Sequence, residues 1–97
     1  MKYLIIDASL TGTGIRDQYN GGFIEVTDLQ LSTNLINLIK SWLARYGVEH
    51  YNGFIDDSII DNLDSEGKAI AKKVKDELVD AKVEYFSDAR LTRTIIT

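Results

Sequence analysis

The sequence predicts a small single-domain α/β fold spanning residues 1–97, with a sheet of three or four strands packed by two or three helices. Three features lead there. The apolar runs KYLIID (Lys2–Asp7) and KVEYF (Lys82–Phe86) have the character of strands. Between them lie two long stretches whose apolar residues recur at helical spacing. Strands separated by helices suit a crossover connection, right-handed if the strands are parallel.

Taken in order, Lys2–Asp7 is a nearly continuous apolar run, as expected of a buried strand. Ala8–Gly22 holds four of the seven glycines and reads as a long loop, braced by Arg16 and Asp17. Phe23–Val26 (FIEV) suits a brief second strand. Ser32 is placed to cap a helix whose apolar stripe is Leu35, Ile39, Trp42, Leu43 and Tyr46, with Gly47 at its end or inside its last turn. Residues 47–55 form a connection. A second helix is expected from Asp56–Ser58, where acids meet the positive end of the helix dipole. Gly67 marks a possible break there, giving helices over 57–63 and 65–79. Val83 and Tyr85 alternate with Lys82 and Glu84 in a half-buried strand, and the tail SDARLTRTIIT, ending on Ile95 and Ile96, suits one more at the sheet edge.

Composition removes several kinds of chemistry. Without cysteine there is no disulfide, thiolate metal site or Cys nucleophile. The N-terminal apolar run is cut short by Asp7, too soon for a signal-peptide core, so a cytoplasmic location is expected. No stretch approaches a membrane span. A net charge of −4 with no cluster of Lys and Arg argues against direct binding of nucleic acid.

Acidity concentrates in Glu49–Glu66 (EHYNGFIDDSIIDNLDSE), which holds six acids, Glu49, Asp56, Asp57, Asp61, Asp64 and Glu66, and no Lys or Arg. Subtracting its −6 from the whole-chain −4 leaves the other residues at +2. Asp57, Asp61 and Asp64 fall along one side of a helix, where carboxylates cannot wrap an ion, so no metal or other cofactor is expected. They suit either a solvated helix face or, with Tyr51 and Phe54 beside them, a surface for a basic partner. TGTGIRD (Thr11–Asp17) begins like a phosphate-cradling loop, but Asp17 stands where the third glycine belongs. A catalytic role for the single histidine, His50, would need a serine and a carboxylate brought to it by the fold. A small enzyme or ligand-binding protein using Asp7, Arg16 and Asp17 around the Gly12–Gly22 loop is the alternative reading, and a homo-oligomeric module burying Tyr51, Phe54 and the terminal Ile95 and Ile96 is a third.

The segments GTGIRD (Gly12–Asp17), Gly22–Phe23, Trp42–Leu43, His50–Tyr51, Leu63–Asp64, Glu66–Gly67 and Tyr85–Phe86–Ser87 resemble those of small bacterial immunity proteins. That group is encoded beside polymorphic toxins, including those of contact-dependent growth inhibition systems. The resemblance implies a cytoplasmic antidote without enzymatic activity, monomeric and bound one-to-one to the toxin's C-terminal domain. Many such toxins are nucleases and therefore basic, which matches the acidity of this chain. Charge and expected exposure, not the resemblance, nominate Glu49, Tyr51, Phe54, Asp56, Asp57, Asp61, Asp64 and Glu66 for that contact.

Overall fold

The computed structural model describes residues 1–97. Along the chain run β1 (Lys2–Asp7), β2 (Ile15–Asp17), a 3-10 turn (Val26–Leu29), α1 (Thr33–Asn52), α2 (Asp57–Glu77), β3 (Ala81–Ser87) and β4 (Thr92–Ile95). The sheet order is β2-β1-β3-β4. The central pair β1 and β3 is parallel, with Leu4 opposite Val83, and both edge strands are antiparallel. The two helices make the long crossover that a parallel pair requires. This is the expected small α/β domain.

Strand alternation divides the sheet between two surroundings. Leu4, Ile6, Val83 and Tyr85 join Leu35, Ile39, Trp42, Tyr46, Leu63, Ile70 and Val74 in one core against the helices. Ile5, opposite Arg16 and Glu84, faces the side without helices and is nevertheless fully buried. The chain's own side chains close that side. Arg16 lies 5.8 Å over the Phe86 ring, Gln18 donates to Glu84, and Tyr19 packs edge-on against Tyr3.

Local chemistry fixes the helix ends. The Ser32 hydroxyl accepts the Leu35 N–H at 3.2 Å and donates to Glu77 at 2.7 Å, while the other Glu77 oxygen accepts the Ser32 N–H. In a capping box the return bond comes from the helix's own third residue; here the last residue of α2 supplies it and ties the helices together. These bonds from Ser32 hold the Glu77 carboxyl below its ordinary value. Asp56 caps α2 by accepting the Ser58 and Ile59 N–H groups. Gly53, in the left-handed region at φ 79°, ends α1 by donating to the Glu49 and His50 carbonyls.

Four local expectations are corrected. The Ala8–Gly22 loop contains β2, too short to show as a pattern. Phe23 makes only an isolated bridge to Arg16, and Val26 begins a 3-10 turn rather than ending a strand. Gly47 lies well inside α1, which runs on to Asn52. Finally, α2 passes through Gly67 without a break. The Tyr85 ring lies so close over Gly67 that a β-carbon there would come within 2.6 Å of ring carbon Cζ. Glycine at 67 serves packing, not a break.

Candidate functional site

The acidic residues of 49–66 sort into different roles. Asp64 is only 7% exposed and lies in the first half of α2, against the C-terminal end of β3. One of its oxygens accepts the Tyr46 and Tyr85 hydroxyls at 2.9 and 2.6 Å, and the other accepts Ser87 Oγ at 2.8 Å and Arg90 Nη1 at 3.1 Å. Burial, and then the bond to Asp64, hold the Tyr85 hydroxyl far above its ordinary value. The expected exposed row of Asp57, Asp61 and Asp64 therefore loses its third member. The reason is that i+7 on this face turns inward over β3, where two tyrosines and a serine need an acceptor. Arg90, in the β3–β4 turn, links the rest of the row to that centre. Its Nη2 is 2.8 Å from Asp61 and 4.0 Å from Asp57.

Three further nominees also work for the fold. Asp56 is the α2 cap. Glu66 takes both terminal nitrogens of Arg45, at 2.7 and 2.8 Å. Phe54 is half-buried, its ring 4.7 Å from that of His50 and 6.0 Å from that of Tyr46. Glu49, expected on the surface, is 7% exposed, because the last turns of α1 lay it against α2.

What remains outward is a compact set at the α1–α2 turn. Tyr51 and Ile55 are 83% and 84% exposed, and Asp57 and Asp61 face solvent beside them in sequence. Ile55 precedes the cap of α2, where an apolar residue often folds back as a staple; here it stands free. Between the helices runs a groove of about 530 Å³ lined by Arg45, Val48, Glu49, Ile59, Asn62, Leu63 and Glu66. Val48 and Ile59 are part-exposed apolar walls.

A second polar cluster sits where β1 and β3 end, the place where open α/β sheets carry ligand sites. Asp7 accepts Arg16 Nε at 2.7 Å and Ser9 Oγ at 2.8 Å. His50 Nε2 is 3.0 Å from both the Ala8 carbonyl and Asp88 Oδ2, so that nitrogen carries the proton. Ser9 Oγ is 3.5 Å from Asp88. Both serine contacts are to carboxylates, whereas an activated serine needs the imidazole against its oxygen. Burial, and then the nearby Asp7, hold the Asp88 carboxyl above its ordinary value, against the pull of His50. Asp7 and Arg16 thus meet as the alternative reading requires, but they neutralise each other. Asp17 instead accepts the Tyr19 and Asn20 N–H groups, which hold its carboxyl below the ordinary value. The Phe23 ring closes over Gly12.

No protein-family model matches the chain, and no curated protein matches it. No helix is long and apolar enough to cross a membrane.

Sequence reasoning missed Arg90, Asp88, Val48 and Ile59. Arg90 and Asp88 carry no local signal, because their partners lie on distant elements. Val48 had one: it falls on the polar side of the α1 stripe, where an apolar residue is out of place.

Proposed function

We propose that this protein is an immunity protein that binds a cognate basic toxin domain, a nuclease by the charge its substrate demands, and neutralises it by covering the active site. It acts in the cytoplasm of the toxin-producing cell, without catalysis of its own. One observation carries the proposal: at the α1–α2 turn, exposed Asp57 and Asp61 accompany Tyr51 and Ile55, large apolar side chains that the fold leaves in solvent. Aromatic and aliphatic anchors inside a polar rim, here two carboxylates against the single Arg90, are the anatomy of a protein interface. The acidic rim speeds encounter with a cationic partner, and the anchors slow release. Capped helix ends hold the face in place before binding, which lowers the entropy lost on association.

The test is to mix the purified protein with the basic domain encoded beside it. A tight, salt-sensitive complex and loss of toxin activity are expected. The double change Asp57→Lys and Asp61→Lys slows association about tenfold or more by reversing the steering charge. Tyr51→Ala and Ile55→Ser together speed dissociation. Absence of a complex at low salt refutes the proposal.

A further inference from the structure

Glu49 is the one acid of the 49–66 stretch that is both buried and without a partner. It is 7% exposed, and its carboxylate, unlike its backbone carbonyl, has no hydrogen-bond or ion-pair partner in the chain. Arg45, one turn earlier on α1 and its natural helical partner, is turned aside in a two-pronged contact with Glu66. The chain holds no fully sealed polar side-chain atom without a partner, so the Glu49 oxygens keep a narrow opening. Glu49 lines the groove between α1 and α2, and the opening is there.

A carboxylate that opens on a groove with no donor from its own chain has its acceptor capacity free for a ligand. Lining the same groove are Val48, Ile59 and Leu63, the Asn62 amide, and Arg45 with its charge met by Glu66, so that Glu49 is the one uncompensated charge there. Apolar walls with a carboxylate between them match a side chain with a methylene stem and a cationic head. The stem lies on the walls and the head reaches the acid, gaining a charge-assisted hydrogen bond away from bulk water.

We infer that the α1–α2 groove is a receptor for a single Arg or Lys side chain of the basic partner protein, with Glu49 as the group that receives its charge. The inference rests on the antitoxin function proposed above. It adds a specific short-range contact to the long-range attraction of Asp57 and Asp61, and so predicts control of dissociation rather than of encounter.

The groove is tested on the intact labelled chain by NMR, using n-propylguanidinium as the probe and n-butanol as a neutral control. Shifts are expected at the Val48, Ile59 and Leu63 methyls and at the Glu49 carboxyl carbon. They saturate only with the cation, and Glu49→Gln weakens binding about tenfold or more. Val48→Trp, at a part-exposed wall, blocks the groove and abolishes the shifts. Equal affinity in Glu49→Gln, or shifts confined to Asp57 and Asp61, overturns the receptor. With the toxin domain, Glu49→Gln raises the dissociation rate about tenfold and leaves association unchanged. A complex that Glu49→Gln does not weaken overturns the groove while the antitoxin function stands. Probe binding at Glu49 with no toxin complex overturns the antitoxin function and this occupant with it. A self-associated chain that Glu49→Gln returns to monomer assigns the groove to a second copy instead.

Discussion

Replacing Asp64 with alanine should destabilise this domain by about 3–5 kcal/mol, a large share of the roughly 5–15 kcal/mol available to a domain of this kind. The magnitude follows from its neighbours. Tyr85 is fully buried, and Asp64 accepts the only hydrogen bond its hydroxyl makes. Ser87 Oγ loses its acceptor, although it still accepts the Arg90 N–H. Tyr46 keeps the Ala89 N–H as a donor to its oxygen but must send its own proton 3.5 Å to Ser87. Each buried donor left unmade costs about 1–3 kcal/mol, and Tyr85 and Ser87 are two such donors. Arg90 adds less, because it is part-exposed and retains Asp61.

Asp64→Asn separates hydrogen bonding from mere shape. Its amide fits best with the oxygen toward Ser87 and Arg90, which only donates, and the NH₂ toward the tyrosine hydroxyls, which can turn to accept. One hydroxyl proton then lacks an acceptor, so the cost falls to about 1–2 kcal/mol. Tyr85→Phe, which removes one donor and leaves Asp64 three, costs about 1 kcal/mol. Urea unfolding followed by far-UV circular dichroism measures all three, with Asp64→Ala lowering the midpoint by about 2 M or more. Asp64→Ala within about 1 kcal/mol of wild type, or Asp64→Asn as costly as Asp64→Ala, refutes the role given to this carboxylate.

Two further outcomes are expected. Gly67→Ala destabilises by about 1–3 kcal/mol despite the better helix propensity of alanine, since its methyl meets the Tyr85 ring, and the same change made in a Tyr85→Ala background becomes neutral or stabilising; thermal unfolding of the four proteins decides. Asp88, held above its ordinary 3.8 in the folded chain, binds more protons folded than unfolded between the two values, so its contribution to stability falls as pH rises through that window and the cost persists above it. Asp88→Asn, which keeps an acceptor for His50, should therefore compare better with wild type near pH 7 than near pH 3, and the reverse trend in pH-dependent urea unfolding refutes this.

The parts of the fold legible in the sequence are those whose causes lie nearby. Ser32 and Asp56 announce helix starts because a cap bonds within three residues. Val83 and Tyr85 announce a strand because alternation is local. Gly67 was misleading because its cause, the Tyr85 ring, comes from another element. Asp64 was misleading for the same reason: helical spacing alone aligns it with Asp57 and Asp61, and only the arrival of Tyr46, Tyr85, Ser87 and Arg90 turns it into a core group. Glu49 reverses from surface acid to buried acid because the contact between α1 and α2 is tertiary. Charge counts located the acidic region but not the depth of each acid within it.

Depth divides that region by the consequence of change. Asp64, Asp56 and Glu66 are held by bonds within the fold, so altering them alters stability. Tyr51 and Ile55 hold nothing in place, and Asp57 and Asp61 engage only Arg90 at the surface, so substitutions there should stay within about 0.5 kcal/mol. The antitoxin proposed above would need such a division. Recognition must be able to change, including toward repelling the wrong partner, without unfolding the scaffold that presents it. Glu49 lies between the two classes, seated in the scaffold yet with a carboxylate contributing no bond to it. Glu49→Gln should therefore leave the urea midpoint unchanged or raise it while speeding dissociation of the complex, whereas changing a structural acid such as Asp64 lowers the midpoint and changing a steering acid such as Asp57 slows association.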